Sequence, residues 1–234
     1  MKILVIDIGG THVKLMCSGR GEEQRKFSSG SKMTPQKMAE QVCATAADWD
    51  FDAISIGFPG PVIHGRPAVE PQNLAPGWVD FDFNKAFNKR LKMINDAAMQ
   101  ALGSYEGGRM LFLGLGTGLG STLILDDVVV PLELGELRYS RTETLEDRLG
   151  KAGRKKFGQQ KWERTVHETV AFLKESFLTD YIVLGGGNAG NLRALPEGAR
   201  RGDNRNAFTG GLRLWGEYFG RMSAKPRKHT LVIA

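Results

Sequence analysis

Twice in this chain an apolar, β-branched run ends on glycine and a second apolar run begins within a few residues. The first is Ile3–Ile8, closed by Gly9-Gly10-Thr11 ahead of residues 13–16; the second covers 110–115, closed by Gly116-Thr117-Gly118 ahead of 120–125. A short apolar run bounded by glycine reads as a buried strand stopped by a turn, so each occurrence predicts a β-ribbon folded back on itself. The elements after each ribbon are also alike. After the first, 22–29 reads as a third, more exposed strand, 33–49 as a helix opened by Thr34-Pro35, and 53–57 as a strand. Residues 81–90 suit a helix, 91–94 a short strand and 97–105 another helix. After the second ribbon, 128–134 is a third strand, helical patterns cover 144–151 and 161–177, and a strand at 181–184 ends in Gly185-Gly186-Gly187. The order of three strands followed by helix alternating with strand therefore repeats, although residue identity between the halves is weak. Between them, the Pro/Gly-rich connection 58–78 is long enough to suggest a functional loop.

A chain of 234 residues permits one large domain or two small ones. Its 30 glycines are nearly twice the ordinary share of roughly 7%, which fits many tight turns. Hydrophobic residues at 41% and charged ones at 25% exclude wholesale disorder. Two cysteines, Cys17 and Cys43, are too few for a disulfide framework or a four-cysteine zinc site, so a reducing compartment is expected. No apolar run approaches the roughly 18 residues that span a bilayer, and the apolar start lacks a signal-peptide cleavage pattern. A soluble, cytoplasmic chain is expected. Thirty-two basic against 26 acidic side chains leave +6, which favours anionic partners without naming one.

Several constellations carry chemistry. Asp7-Ile8-Gly9-Gly10-Thr11 puts a carboxylate at a strand end beside two glycines and a hydroxyl; glycine lets a phosphate approach backbone N–H groups closely, and Asp7 can hold Mg²⁺ directly or through water. An ordinary hairpin turn uses the same residues. The run 114–120, Gly-Leu-Gly-Thr-Gly-Leu-Gly, looks like a dinucleotide fingerprint, but strand rather than helix follows it, and the lysine of a P-loop is missing. Two glycine ribbons can hold one polyanion between two half-molecules. Asn95-Asp96 stands where strand meets helix: an aspartate there can take the proton of a substrate hydroxyl during phosphoryl transfer, or simply cap the helix. Glu133 and Glu136 bracket a glycine and can accept hydrogen bonds from sugar hydroxyls, or be a solvated turn. His12, His64, His167 and His229 are scattered without metal spacing. The basic run Arg148, Lys151, Arg154, Lys155, Lys156, Lys161 and Arg164 is a solvated helical face or a track for polyphosphate or nucleic acid; the aromatic interleaving that nucleic acid needs is thin, and no nucleic-acid partner is expected. The basic tail 225–229 reads as a loose end.

In order, DIGGTHVKL, SIGFPGPV, PQNLAPGW, Asn95-Asp96, GLGTGLGS, ELGEL and VLGGGNA resemble the ROK sugar kinases of the actin-like ATPase superfamily, over about residues 2–215. The compact length and the absence of that family's cysteine-rich zinc motif are similar to its polyphosphate glucokinases. The resemblance implies an α/β chain with the actin-like ATPase (ribonuclease H-like) fold, two lobes with a central cleft. The first lobe is residues 1–94, joined by a C-terminal helix at about 206–218, and the second is 95–205. It implies Asp96 as catalytic base, Asn95, Gly60, Glu133 and, more loosely, Glu146 as sugar-binding residues, Gly9, Gly10 and Thr11 as the first phosphate loop, Gly116, Thr117 and Gly118 as the second, and Gly185, Gly186 and Gly187 as the adenosine motif. Where the family's sugar motif has histidine this chain has Glu136, an acceptor only when ionised. The short stretch 188–202 leaves little wall for adenine, which with the basic run favours a phosphoryl donor lacking a base. The expected activity is a Mg²⁺-dependent, zinc-free transfer from polyphosphate or ATP to a hexose, glucose first, in a cytoplasmic homodimer without membrane contact; the alternative is a non-catalytic sugar-binding regulator of the same fold.

Overall fold

The structure, a computed structural model, describes residues 1–21, 23–203, 205–216 and 232–233. It divides into two compact units, Met1–Met99 with the segment beginning at Ala207, and Gln100–Asn206 with the strand at 232–233.

In the first unit β1 (Ile3–Ile8), β2 (His12–Cys17) and β3 (Gln24–Ser28) form an antiparallel meander. Then come α1 (Pro35–Thr45), β4 (Ala53–Phe58), the small ribbon β5 (Val62–Ile63) and β6 (Arg66–Pro67), α2 (Phe83–Phe87), β7 (Arg90–Asn95) and α3 (Asp96–Ser104). β4 and β7 add in parallel, giving the order β3-β2-β1-β4-β7. β1 and β4 are buried along their whole length, as expected of strands covered on both faces. β2 alternates, with Val13, Leu15 and Cys17 inward, and the edge strand β3 presents charge, which discourages pairing with another chain. α1 starts where the sequence indicated: the Thr34 hydroxyl accepts from Lys37 N at 3.2 Å and Pro35 fills the first turn. Its buried Met38 and Val42 join Leu4, Ile6, Leu15, Ile54, Phe58 and Trp78 in one core.

The second unit repeats that topology. β8 (Arg109–Leu115), β9 (Leu119–Leu125) and β10 (Val128–Leu132) are an antiparallel meander, followed by α4 (Leu145–Leu149), α5 (Lys151–Phe157), α6 (Gln159–Ser176), β11 (Tyr181–Gly185) and β12 (Ala199–Arg201). β11 and β12 add in parallel beside β8, and β13 (Val232–Ile233) pairs with β10. Trp162, Val166, Val170 and Leu173 of α6 pack on Leu111, Leu113, Ile182 and Leu184. The last helix, α7 (Asn206–Arg213), seals the second face of the first sheet: a Cβ on Gly211 would collide with Val5, and the Ser55 hydroxyl donates to Gly211 O at 2.5 Å.

Some expectations need correction. The helix read at 81–90 is only Phe83–Phe87, because Asn88 turns left-handed (φ 47°) and Arg90 already belongs to β7. The helical pattern 144–151 breaks at Gly150, whose backbone is extended, into α4 and α5. The helix read at 206–218 stops at Arg213, followed by a turn through Gly216 (φ 71°); residues 217 and 218, like the basic tail and His229, lie outside the described residues. β12 was not foreseen, since Ala-Arg-Arg carries no apolar signal. Asn95 to Met99 go with the first unit rather than the second: Asn95 pairs with Phe58 in its sheet, and Met99 packs beside Gly57.

Candidate functional site

In the first unit β1, β4 and β7 run parallel side by side, with Asp7 opposite Gly57, Gly57 opposite Ile94, and Phe58 opposite Asn95. Asp7 near the end of β1, and Asn95 and Asp96 at the end of β7, therefore lie at the same carboxyl-terminal edge of the parallel strands, with β4 between them, where parallel sheets bind ligands. The Asp7 carboxyl is buried, and Lys14 Nζ stands 3.3 Å from its Oδ2; burial pushes the carboxyl above the ordinary carboxylate range while Lys14 pulls it back. Beyond it, Gly9 N donates to His12 O at 3.0 Å, closing the turn. Ser29, just past β3, secures the other side: its hydroxyl donates to Gly9 O at 2.6 Å and its N–H to Thr11 O at 2.9 Å. A Cβ on Gly10 would stand 3.1 Å from Asn73 Cβ, so the 58–78 loop leans on this turn.

Asn95 does two things. Its Oδ1 accepts from Ala98 N at 3.0 Å, capping α3, and its Nδ2 donates to Gly60 O at 3.1 Å, tethering the start of the loop. The helix-cap reading of Asn95-Asp96 is thus seen in the Asn95 side chain, which also ties α3 to the loop. Asp96, half-buried, opens α3 with Oδ1 accepting from Ala97 N at 2.7 Å. α3 approaches the sheet over Gly57, whose missing Cβ would lie 3.3 Å from Met99 Sδ and 3.5 Å from Asp96 Cα. Farther along the loop, Glu70 accepts from Gly77 N and Trp78 N, both at 3.0 Å.

In the second unit Gly116, Thr117 and Gly118 form the turn between β8 and β9. Gly116 N donates to Gly118 O at 3.1 Å; Asn188 donates through N to Leu115 O and through Nδ2 to Gly116 O, both at 2.8 Å; and Lys151 N, at the start of α5, donates to Gly116 O at 3.1 Å. Gly185, Gly186 and Gly187 pass alongside. Gly186 is left-handed (φ 78°) and a Cβ there would stand 2.6 Å from Leu115 O, so only glycine fits. Both predicted glycine segments of this unit are therefore brought together, at the carboxyl ends of β8 and β11.

Glu133 precedes and Glu136 ends a 3-10 turn over Leu134–Glu136, which buried Ser121 of β9 fixes by donating to Leu132 O at 2.8 Å and accepting from Leu134 N at 2.9 Å. Packing around the Glu133 carboxyl, then the nearby Glu136 and Glu146, raise its pKa above the ordinary value of about 4.3. The Glu146 carboxylate is turned toward the glycine turn, with Oε2 accepting from Leu119 N at 3.1 Å.

The basic run is partly consumed by the fold. The Arg148 guanidinium lies 4.5 and 4.2 Å from the Tyr139 and Phe157 ring centres with Nε 2.8 Å from Glu143, and Lys156 also pairs with Glu143 at 2.9 Å. Arg154 lies 5.9 Å from the Trp162 ring. Lys151 and Lys155 of α5 are exposed, and Lys151 adjoins the glycine turn through its backbone N–H. Among the described residues, no group of three or more His, Cys, Asp or Glu side chains is placed to hold a metal ion, and no helix is long and apolar enough to cross a membrane.

Sequence reasoning missed Lys14, Ser29, Asn73, Ser121 and Asn188. Lys14 was findable: in the hairpin register it is the cross-strand partner of Asp7. Ser121 was a polar residue in an apolar strand. Ser29, Asn73 and Asn188 reach their turns from afar and left no local signal.

No protein-family model matches the chain. It is 29% identical over 143 residues to an N-acetylmannosamine kinase of Vibrio vulnificus, a match covering 54% of this chain and 48% of that protein, so the likeness spans about half that relative's length. It is 23% identical over 205 residues to a polyphosphate glucokinase of Mycobacterium tuberculosis, covering 78% and 76%. Among solved structures it resembles the inorganic polyphosphate/ATP-glucomannokinase of Arthrobacter sp. strain KM, with a TM-score of 0.74, 23% identity and 90% and 96% of the two chains covered. It also resembles a ROK family protein from Streptococcus pneumoniae in complex with sucrose, with a TM-score of 0.76, 15% identity and 92% and 98% covered. The chain has the actin-like ATPase fold in the form that ROK sugar kinases share, and its sequence resembles theirs.

Proposed function

We propose that the chain is a sugar kinase of the ROK type, moving a phosphoryl group from inorganic polyphosphate or ATP to the 6-hydroxyl of a hexose, with glucose as acceptor. The observation that carries this reading is Asp96 at the carboxyl end of the parallel strands β1, β4 and β7, with Asp7 and its glycine turn two strands away at the same sheet end and Asn95 tying the start of α3 to Gly60. In this reaction the O6–H proton passes to the Asp96 carboxylate, O6 bonds to phosphorus, and the bond from phosphorus to the bridging oxygen breaks, leaving a donor one phosphoryl shorter. Positioning and charge neutralisation supply most of the rate. In the first unit, backbone N–H groups of the Gly9–Thr11 turn would bind donor oxygens and Asn95 and the Gly60 turn sugar hydroxyls; in the second unit, the Gly116–Gly118 turn would bind donor oxygens and Glu133 and Glu136 sugar hydroxyls.

A single buried carboxylate such as Asp7 fits a Mg²⁺ ion carried mainly by donor phosphates and water, the usual way this ion is bound. When bound, the ion neutralises charge on the phosphates in transfer. Gly185–Gly187 would face an adenosine when ATP is the donor. Polyphosphate as donor is supported by exposed Lys151, whose backbone adjoins the glycine turn.

A matrix of donors (ATP, polyphosphate) against sugars (glucose, mannose, N-acetylmannosamine), read as sugar phosphate formed with and without Mg²⁺, tests the reading. Glucose 6-phosphate from at least one donor is expected. Sugar binding by calorimetry with no turnover in any cell of the matrix would favour the regulator instead.

A further inference from the structure

Glu146 was expected to touch the sugar, yet its carboxylate lies among backbone groups of two separate turns. Oε2 accepts from Leu119 N at 3.1 Å. A Cβ on Gly118 would fall on that carboxylate, and one on Gly135 would stand 3.3 Å from Oε2 and 3.2 Å from Leu119 O. Two glycines from different turns thus leave the space that one glutamate fills. The residue's own helix end is fitted to the same place: Gly150 N donates to Glu146 O at 2.9 Å, a Cβ on Gly150 would stand 2.8 Å from Thr117 O, and Lys151 N reaches Gly116 O. A charge-assisted bond to a backbone N–H is stronger than a neutral one.

We infer that Glu146 is a positioning residue that braces the Gly116–Gly118 turn against the Glu133–Glu136 turn, holding the donor-binding and sugar-binding backbones of this unit at fixed spacing. The inference rests on the proposed reading of those two turns as donor and sugar sites. Its consequence is that losing the carboxylate impairs both substrates together, whereas a residue that only touched sugar would impair one. A misplacement of about 1 Å in such a site costs on the order of 100-fold in rate.

Two measurements separate the brace from the kinase reading. The first is a thermal-melting cycle of Gly118→Ala, Glu146→Ala and the double variant, which needs no activity. The brace predicts that Gly118→Ala lowers the melting temperature in the parent chain and lowers it markedly less in the Glu146→Ala background, because the collision has gone; additive shifts would overturn it. If Glu146→Ala does not fold, Glu146→Ser, which also removes the colliding carboxylate, replaces it, and Gly135→Ala serves as the second collision site. The second is kinetics. Glu146→Ala is expected to raise KM for donor and for sugar and to lower kcat/KM about 10- to 100-fold, with Glu146→Gln, whose amide oxygen still accepts from Leu119 N, recovering most of the loss. A rise confined to sugar KM, unrescued by glutamine, would make Glu146 a sugar contact and overturn the inference. Absence of turnover in the parent chain would sink the kinase reading, and the melting cycle would still decide whether the brace exists.

Discussion

Lys14 and Asp7 face each other across the first ribbon, and their pairing sets a testable pH dependence. Burial raises the Asp7 pKa in the folded chain above its unfolded value, so the stability linked to this group is complete below the unfolded pKa and is lost as pH rises through the folded one. Lys14 opposes that loss by favouring the carboxylate. Replacing it in Lys14→Met removes the opposition and moves the Asp7 pKa higher still. The variant should therefore melt like the parent in acid and fall progressively behind it as pH rises above the ordinary aspartate value of about 3.9. The deficit at neutral pH should be on the order of 1 kcal/mol, modest because the ammonium group is about a third exposed. Thermal melts of the two proteins across pH 3–8 check this, and a constant offset would show that Asp7 is not the group responsible. At this scale the turns were legible and most of their partners were not. Glycine announces itself because the backbone needs it locally, at Gly186 for its left-handed φ and at Gly118 for the space it leaves. Ser29, Asn188 and Glu146 reach their turns across 20, 72 and 27 positions respectively, so nothing beside them in the chain marks the contact.

Among the elements, α3 matters most, because its first residue is Asp96 and its cap is Asn95. The helix comes close to β4 only because Gly57 has no side chain. Gly57→Ala should push the Met99 thioether and the start of α3 outward, at about 1–3 kcal/mol for overpacking, and lower kcat more than it raises KM. Met99→Ala in the same chain should recover part of both losses, since the obstructing group is then gone; no recovery would mean that Gly57 serves some purpose other than helix approach. Element existence was readable from periodicity and glycine, and β1, β4, β8 and α1 fall close to where the apolar runs and the Thr34-Pro35 start put them. Ends were less readable. α2 is short because Asn88 adopts a left-handed conformation that no apolar pattern signals, and β12 joins its sheet through backbone pairing of a basic tripeptide.

For the whole molecule, the repeat of three strands then alternating helix and strand is now a pair of sheets sharing one five-strand order, β3-β2-β1-β4-β7 and β10-β9-β8-β11-β12, the second extended beyond β10 by β13. That likeness was visible in the sequence as a repeated order of elements, because a ribbon closed by glycine and followed by parallel strands admits few other sheets. The net charge of +6 was visible too, but its use was not: Arg148, Arg154 and Lys156 are occupied by rings or Glu143, while exposed Lys151 adjoins a glycine turn. The central claim is that Asp96 takes the proton from the sugar hydroxyl. Its most direct test is the turnover of Asp96→Asn against the parent chain, with glucose and whichever donor supports phosphorylation, at equal melting temperature. The account predicts a kcat about 10²–10⁴-fold lower with glucose KM changed only a few-fold; an asparagine variant that phosphorylates glucose at close to the parent rate would contradict it.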